Sequence, residues 1–522
     1  MKRRALLMKK AALFLCLLFA VPTAAFSAPI VLVPIDDRPV TLQLPQMVGA
    51  IAGTRVALPP RAMLGRFLTP GNPEAIAQWL QLSAPQDADA FVLSTDMLAY
   101  GGLIASRTPA TPQSVAIGRL HVLSLVRQQH PQAWIGAFGT IMRLAPTGVP
   151  AIGAAKDFFA AYPAWDYLQQ YANLHDPPLP SEEATAEHLR QLIGPRVLAQ
   201  YLSARARNRA VDQVALQLTA RGDINRFVLG QDDAGQIGLH IKDVTALRSD
   251  VQTLQIADRT SIEPGADELA MALVAHAIAW RIGWTPRIAV RYSTPSGAAF
   301  NDPLEFVPID QTINSLISLC GGTRDDTNPD ITLFVRVPDS LDTQDPVLLA
   351  SIEGDLAAHK SVAVADLTFL EATFTHQAAF AQGLIMSGAA GKLDAYASWN
   401  TSANTVGTAL AESIAAGAGR RAHAYNAIAH AQFMLNRFID DYAYHAYVRP
   451  ELNAELDAAR VDHSLLLPQD AMPIDHRNRA LLWREAVELK HEIYPQYKDA
   501  GLTITLPWDR TFETEIDVNL SR

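Results

Sequence analysis

Residues 90–107 read AFVLSTDMLAYGGLIASR. The run Ala90–Ser94 is apolar and unbroken, long enough for a buried strand and too short for a helix. It passes straight into Ser94-Thr95-Asp96, then Tyr100-Gly101-Gly102 and Ser106-Arg107, and a helical period follows over Ser114–Gln129. Strand, polar turn, helix is the repeating unit of a mostly parallel sheet covered on both faces. The unit recurs along the chain. Strands are expected near Ile30–Ile35, Arg55–Leu58, Trp134–Phe138, Phe227–Leu229, Leu254–Ile262, Arg287–Arg291, Ile331–Val335, Val362–Ala365 and Leu393–Tyr396. Helices are expected at Pro73–Leu82, Glu182–Ala220 (broken at least once) and Asp267–Ile282. The fold class is therefore α/β: a parallel (β/α) barrel-like body over residues 29–401, with two doubly wound sheets as the alternative. From about Ser402 only helical periods remain, at Ala403–Ala416, Ala424–Tyr447 and Arg477–Tyr494. Residues 402–522 are thus expected as an α-helical section packed on the body. The one candidate seam is GGTRDDTNP, Gly321–Pro329.

The chain has 522 residues, 49% hydrophobic and 18% charged, which excludes small stapled and disordered classes. Residues 1–28 carry Lys2, Arg3, Arg4, Lys9 and Lys10, no acid, an apolar run from Ala11 to Val21, and then small residues. That layout is a secretory signal peptide, with cleavage expected after Ala25 or Ser27. Taking those five cations from the 43 Lys and Arg leaves 38 against 53 acids, about −15 for the remainder. Such a charge opposes binding to a phosphate backbone, so no nucleic-acid partner is expected. No later stretch is apolar enough to span a bilayer, and after processing only Cys320 remains, which rules out an intrachain disulfide. The mature protein is expected to be periplasmic or secreted; its oligomeric state is open.

Polar residues gather where strands end, and in parallel α/β folds ligands bind outside the carboxyl ends of strands. The first strand leads to Asp36-Asp37-Arg38, the third to Asp96 and Tyr100, and the fourth to Thr140 and Arg143. The fifth leads to Asp232-Asp233, the sixth to Asp267-Glu268, and the last to Trp399-Asn400. Singly, each has a structural explanation: Asp267 or Asp37 as a helix cap, Gly101-Gly102 as a turn, Trp399 as a core aromatic, Asn404 as a chance residue in a helix. Collected on one rim they point to a site, because unpaired carboxylates repel one another.

Asp232-Asp233 is the most suggestive pair. At a strand-to-loop bend two neighbouring carboxyls can reach one pocket, where their pKa values are pushed apart. Glycoside hydrolysis needs one acid and one carboxylate or orienting group. Trp399 would wall a sugar face, while Asp36, Asp37, Arg38, Asp96, Tyr100, Arg143, Asp267, Glu268 and Asn400 would bind substrate. The expected function is an exported hydrolase, a glycosidase acting on a carbohydrate or envelope glycoconjugate, with Asp232 and Asp233 catalytic. The alternatives are a metal-dependent hydrolase of an envelope component and a non-catalytic carbohydrate-binding protein. No organic cofactor is expected: dinucleotide and P-loop glycine motifs, G-x-S-x-G and HExxH are all missing. A divalent cation on Asp36, Asp96, Asp232 and Asp233 stays open.

The segments PIDDRPVTLQLP (34–45), LSTDMLAYGGLIASR (93–107), GQDDAGQIGLH (230–240), PGADELAMALVA (264–275), YASWNTSANTVGTALA (396–411) and LPWDRTFE (506–513) together resemble a bacterial family, domain of unknown function 4127. The resemblance implies that the C-terminal section belongs to the same unit as the body, and it brings no activity with it. Ser398 and Ala403 stand where the family's YAGWNT-type segment would carry Gly.

Overall fold

The computed structural model describes residues 28–146, 163–338, 345–368 and 375–522. Residues 1–27 of the expected signal peptide lie outside the described residues. Six parallel strands make a first sheet: β1 (Ile30–Val33), β2 (Val56–Ala57), β3 (Ala90–Ser94), β4 (Trp134–Ile141), β5 (Arg226–Gln231) and β6 (Thr260–Pro264), in the order β2-β1-β3-β4-β5-β6. A second parallel sheet holds β7 (Arg287–Tyr292), β8 (Thr323–Arg324), β9 (Ile331–Arg336), β10 (Val362–Asp366) and β11 (Ala395–Ala397), ordered β11-β10-β9-β7-β8. Both sheets start at an inner strand, place the second strand on one side and continue on the other, the doubly wound plan. The expected barrel gives way to the two-sheet alternative. Periodicity reports buried parallel strands; whether they close depends on which edges pair, and that pattern leaves no mark along one strand.

Apolar runs form these strands because both faces are buried, and successive side chains enter different layers. Ile30 and Leu32 belong to the layer between the sheets, Val31 and Val33 to the outer layer of the first sheet. Leu333 and Val335 likewise face the shared layer, whereas Phe334, Val362 and Val364 face outward. Leu269–Arg281 after β6 and Ser402–Arg421 after β11 lie in the shared layer, flanked there by helices Pro39–Ile51 and Ile309–Leu319. The first, LAMALVAHAIAWR, is apolar all round, as a helix packed on every side must be. They touch at Gly407, where an added Cβ would stand 2.4 Å from Glu268 Cγ.

The helical section expected from residue 402 opens with Ser402–Arg421. This helix follows β11, the last strand of the second sheet, and packs in the layer between the sheets. The chain then runs through helices Ala427–Arg437, Arg449–Ala459 and Pro468–Ile493 on the outer face of the second sheet. It ends in an antiparallel hairpin, β12 (Lys498–Thr505) and β13 (Glu515–Ser521), where a helix alone was expected. The proposed seam Gly321–Pro329 contains β8 and the turn into β9, so it lies inside the second sheet. The passage between sheets is the buried helix Leu269–Arg281. Among the described residues no helix is long and apolar enough to cross a membrane.

Candidate functional site

A cleft of about 570 Å³ opens at the carboxyl ends of the first sheet. β1 delivers Arg38, β4 Arg143, β5 Asp232 and Asp233, and β6 Asp267; the end of β11 adds Asn400 and Thr401 from the second sheet. The loop between β12 and β13 closes one side with Trp508, Arg510 and Phe512. That loop is tied down firmly. Trp508 Nε1 donates to Asp37 Oδ1 at 2.7 Å, Arg66 Nη2 to the Pro507 carbonyl at 3.0 Å, and Tyr444 Oη to the Thr511 carbonyl at 2.6 Å. A second hollow of about 460 Å³, lined by Tyr100, Asn72 and Arg119, adjoins the cleft across Ile104 and Arg107.

The two adjacent carboxyls are held differently. In a straight strand they would face opposite ways, but Asp233 has φ +20°, so the chain bends and both line the cleft. Arg107 grips Asp232 Oδ2 through Nη2 at 2.5 Å and Nε at 3.1 Å, with both side chains only 7% exposed. Asp233 has a longer bond from Arg143 Nη1, 3.2 Å, and about a third of its side chain reaches solvent. Burial, then the neighbouring Asp232 charge, pushes the Asp233 carboxyl upward, against Arg143 and Arg107. Its partial exposure limits the burial effect, but both causes favour the protonated form.

Arg38 bridges two carboxylates. Its Nη2 and Nη1 meet Asp267 at 2.6 and 2.9 Å, and its Nε and Nη2 meet Asp36 Oδ2 at 2.9 and 2.8 Å. Asp36 also accepts from Thr41 Oγ1, so it orients Arg38 from behind the cleft. Burial pushes Asp267 upward, opposed by Arg38. Asp96 lies beneath, accepting from Thr140 N at 2.8 Å and Oγ1 at 3.1 Å, and burial pushes it up to about 7. Glu268 is wholly buried and pushed well upward by burial; its Oε2 accepts from Ala266 N in the turn after β6.

Of the expected site residues, Asp232, Asp233, Arg38, Arg143, Asp267 and Asn400 line the cleft. Asp36, Asp37, Asp96 and Glu268 stand behind its wall as supports, and Tyr100 lies in the adjoining hollow under the Arg207 guanidinium. Trp399 is not the sugar wall. It is 6% exposed, donates from Nε1 to Thr408 Oγ1 and borders a narrower recess. Trp508 and Phe512 supply the aromatic wall instead, and Asn404, read as a chance residue in a helix, lines the cleft. Arg107, Arg449 and Arg510 were also missed as site residues. For Arg510 the local signal is its place between Trp508 and Phe512; for Arg107 it is the polar end of the third strand, and Arg449 has none.

The helix Ser402–Arg421 points its start at the cleft, and its first two N–H groups are taken by carboxyl groups. Asp302 Oδ2 accepts from Ser402 N at 2.9 Å, and Glu305 Oε1 accepts from Ala403 N at 2.5 Å. Burial pushes Glu305 up to about 8. Among the described residues no three carboxylate, histidine or cysteine side chains converge as metal ligands.

Fold and site together define a two-sheet α/β protein with a charged cleft between the carboxyl ends of its first sheet and a C-terminal loop. The chain belongs to the family described as "Protein of unknown function (DUF4127)", whose model matches residues 30–517. Comparison with curated proteins and with solved structures finds no match.

Proposed function

We propose that the protein is an exported glycoside hydrolase acting on a carbohydrate or envelope glycoconjugate. The observation that carries this reading is the unequal holding of two neighbouring carboxyls in one cleft. Asp232, clamped by Arg107, is the carboxylate that orients or attacks; Asp233, favoured in its protonated form, is the general acid. Trp508 and Phe512 offer apolar faces to a sugar ring, Asn400 and Asn404 polar groups to its hydroxyls, and the adjoining hollow has room for a second unit. A cation on Asp232 and Asp233 would have to displace two arginines, which favours the metal-free mechanism over the metal-dependent alternative.

The test is a panel of chromogenic glycosides, with and without chelator, on wild type, Asp232→Asn and Asp233→Asn. Each substitution is expected to lower turnover by about 10²–10⁴; the melting temperature should change little for Asp233→Asn and fall for Asp232→Asn, which leaves buried Arg107 without its counter-charge. Unchanged turnover in both variants would assign the chemistry to other residues.

A further inference from the structure

We propose that the Arg449 side of the cleft is a subsite for an anionic group, carboxylate or phosphate, so that the ligand is an acidic sugar or glycoconjugate. This deepens the reading above and rests on it for the sugar part alone. Five arginines line the cleft of a chain whose net charge is −10. Four are matched: Arg38 by Asp36 and Asp267, Arg107 by Asp232, Arg143 by Asp233, and Arg510 by Glu513 at 2.6 Å. Arg449 is the exception, with no carboxylate in ion-pair contact among the described residues. Its Nε is buried without a hydrogen-bond acceptor, and its Nη1 has only His445 Nδ1, at 3.3 Å.

The neighbourhood makes this arrangement costly without a ligand. Arg449 and Arg510 both lie against the Phe512 ring, 4.8 and 5.1 Å from its centre, so two like charges share one aromatic ring. Burial first, with Arg510 adding to it, pulls Arg449 below the usual arginine range, while Tyr444 and Glu513 act the other way. A partly buried guanidinium short of an acceptor is stabilised by a planar anion that takes two of its N–H groups at once. The acidic body repels anions at a distance, so a positive corner inside the cleft acts locally as a selector.

Calorimetric titration of the wild type with D-glucuronate, D-glucose 6-phosphate and D-glucose tests this directly. At least one acidic probe should bind about tenfold tighter than glucose or better, and the two acidic arms tell carboxylate from phosphate. Arg449→Met should abolish that preference, bringing acidic-probe affinity down to that for glucose, while Arg449→Lys should keep part of it. Equal affinity for acidic and neutral probes in the wild type, or no saturable binding by either acidic probe, overturns the subsite whatever the variants do. Acid-selective binding without turnover of any glycoside leaves the subsite standing and overturns the hydrolase. Turnover with no acid preference does the reverse.

Discussion

Asp96 shows how much a single residue's role depends on what lies around it. In the sequence it is one more acid at a strand end; in the fold it is buried beneath Asp232, with Thr140 as its hydrogen-bond donor. Folding raises its pKa from 3.8 to about 7, so between those values the unfolded chain has lost a proton that the folded one keeps. Its contribution is therefore neutral below about pH 4 and destabilising above about pH 7, by as much as about 4 kcal/mol at three pKa units. Asp96→Asn keeps an acceptor for Thr140 N and removes that penalty. It should raise the urea midpoint at pH 8 and leave it unchanged near pH 4; a loss of stability at pH 8 would show that the carboxylate is held by more than Thr140. Trp399 and Asn404 carry the complementary lesson. Both readings were open in the sequence, and tertiary contacts reversed the expectation for each: the tryptophan became core and the asparagine reached the cleft.

At the level of elements, the central helices join the two sheets by close approach. Gly407 lets Ser402–Arg421 come against Glu268, whose Cβ and Cγ would lie 2.8 and 2.4 Å from an added methyl group. Those atoms sit at the base of a buried side chain and cannot swing aside. Gly407→Ala should therefore destabilise by about 1–3 kcal/mol, read as a lower denaturation midpoint with the same slope. An unchanged midpoint would mean that the helices can slide apart without cost. Most strands and the helix Pro73–Leu82 were legible because burial on both faces needs continuous apolar runs, and helices carry their own period. The region Ser114–Gln129 is two helices, Gln113–Arg119 and His121–Gln129, a break that periodicity bridged. β13 was overlooked although EIDVNLS alternates, with Ile516, Val518 and Leu520 buried between exposed Asp517 and Asn519. The preceding helical patterns outweighed a signal only seven residues long.

Over the whole molecule, one apolar layer serves both sheets, bringing Ile30 and Val92 together with Leu333 and Ala363. Export is the remaining proposal at this scale. If residues 1–28 are a leader, N-terminal sequencing of protein from an envelope fraction should find a start between Phe26 and Pro29. An intact Met1 in the cytoplasm would sink it. By itself the sequence determined the α/β class, the strand ends on which acids and arginines gather, and the acidic balance, since these follow from local periodicity and composition. Only the tertiary structure decided that the strands divide into two sheets, that Ser402–Arg421 lies between them, and that Trp508, Arg510 and Phe512 return to wall a cleft begun at Arg38. These are pairings between residues up to hundreds of positions apart, and the energy of such a contact is written in neither partner's neighbours along the chain.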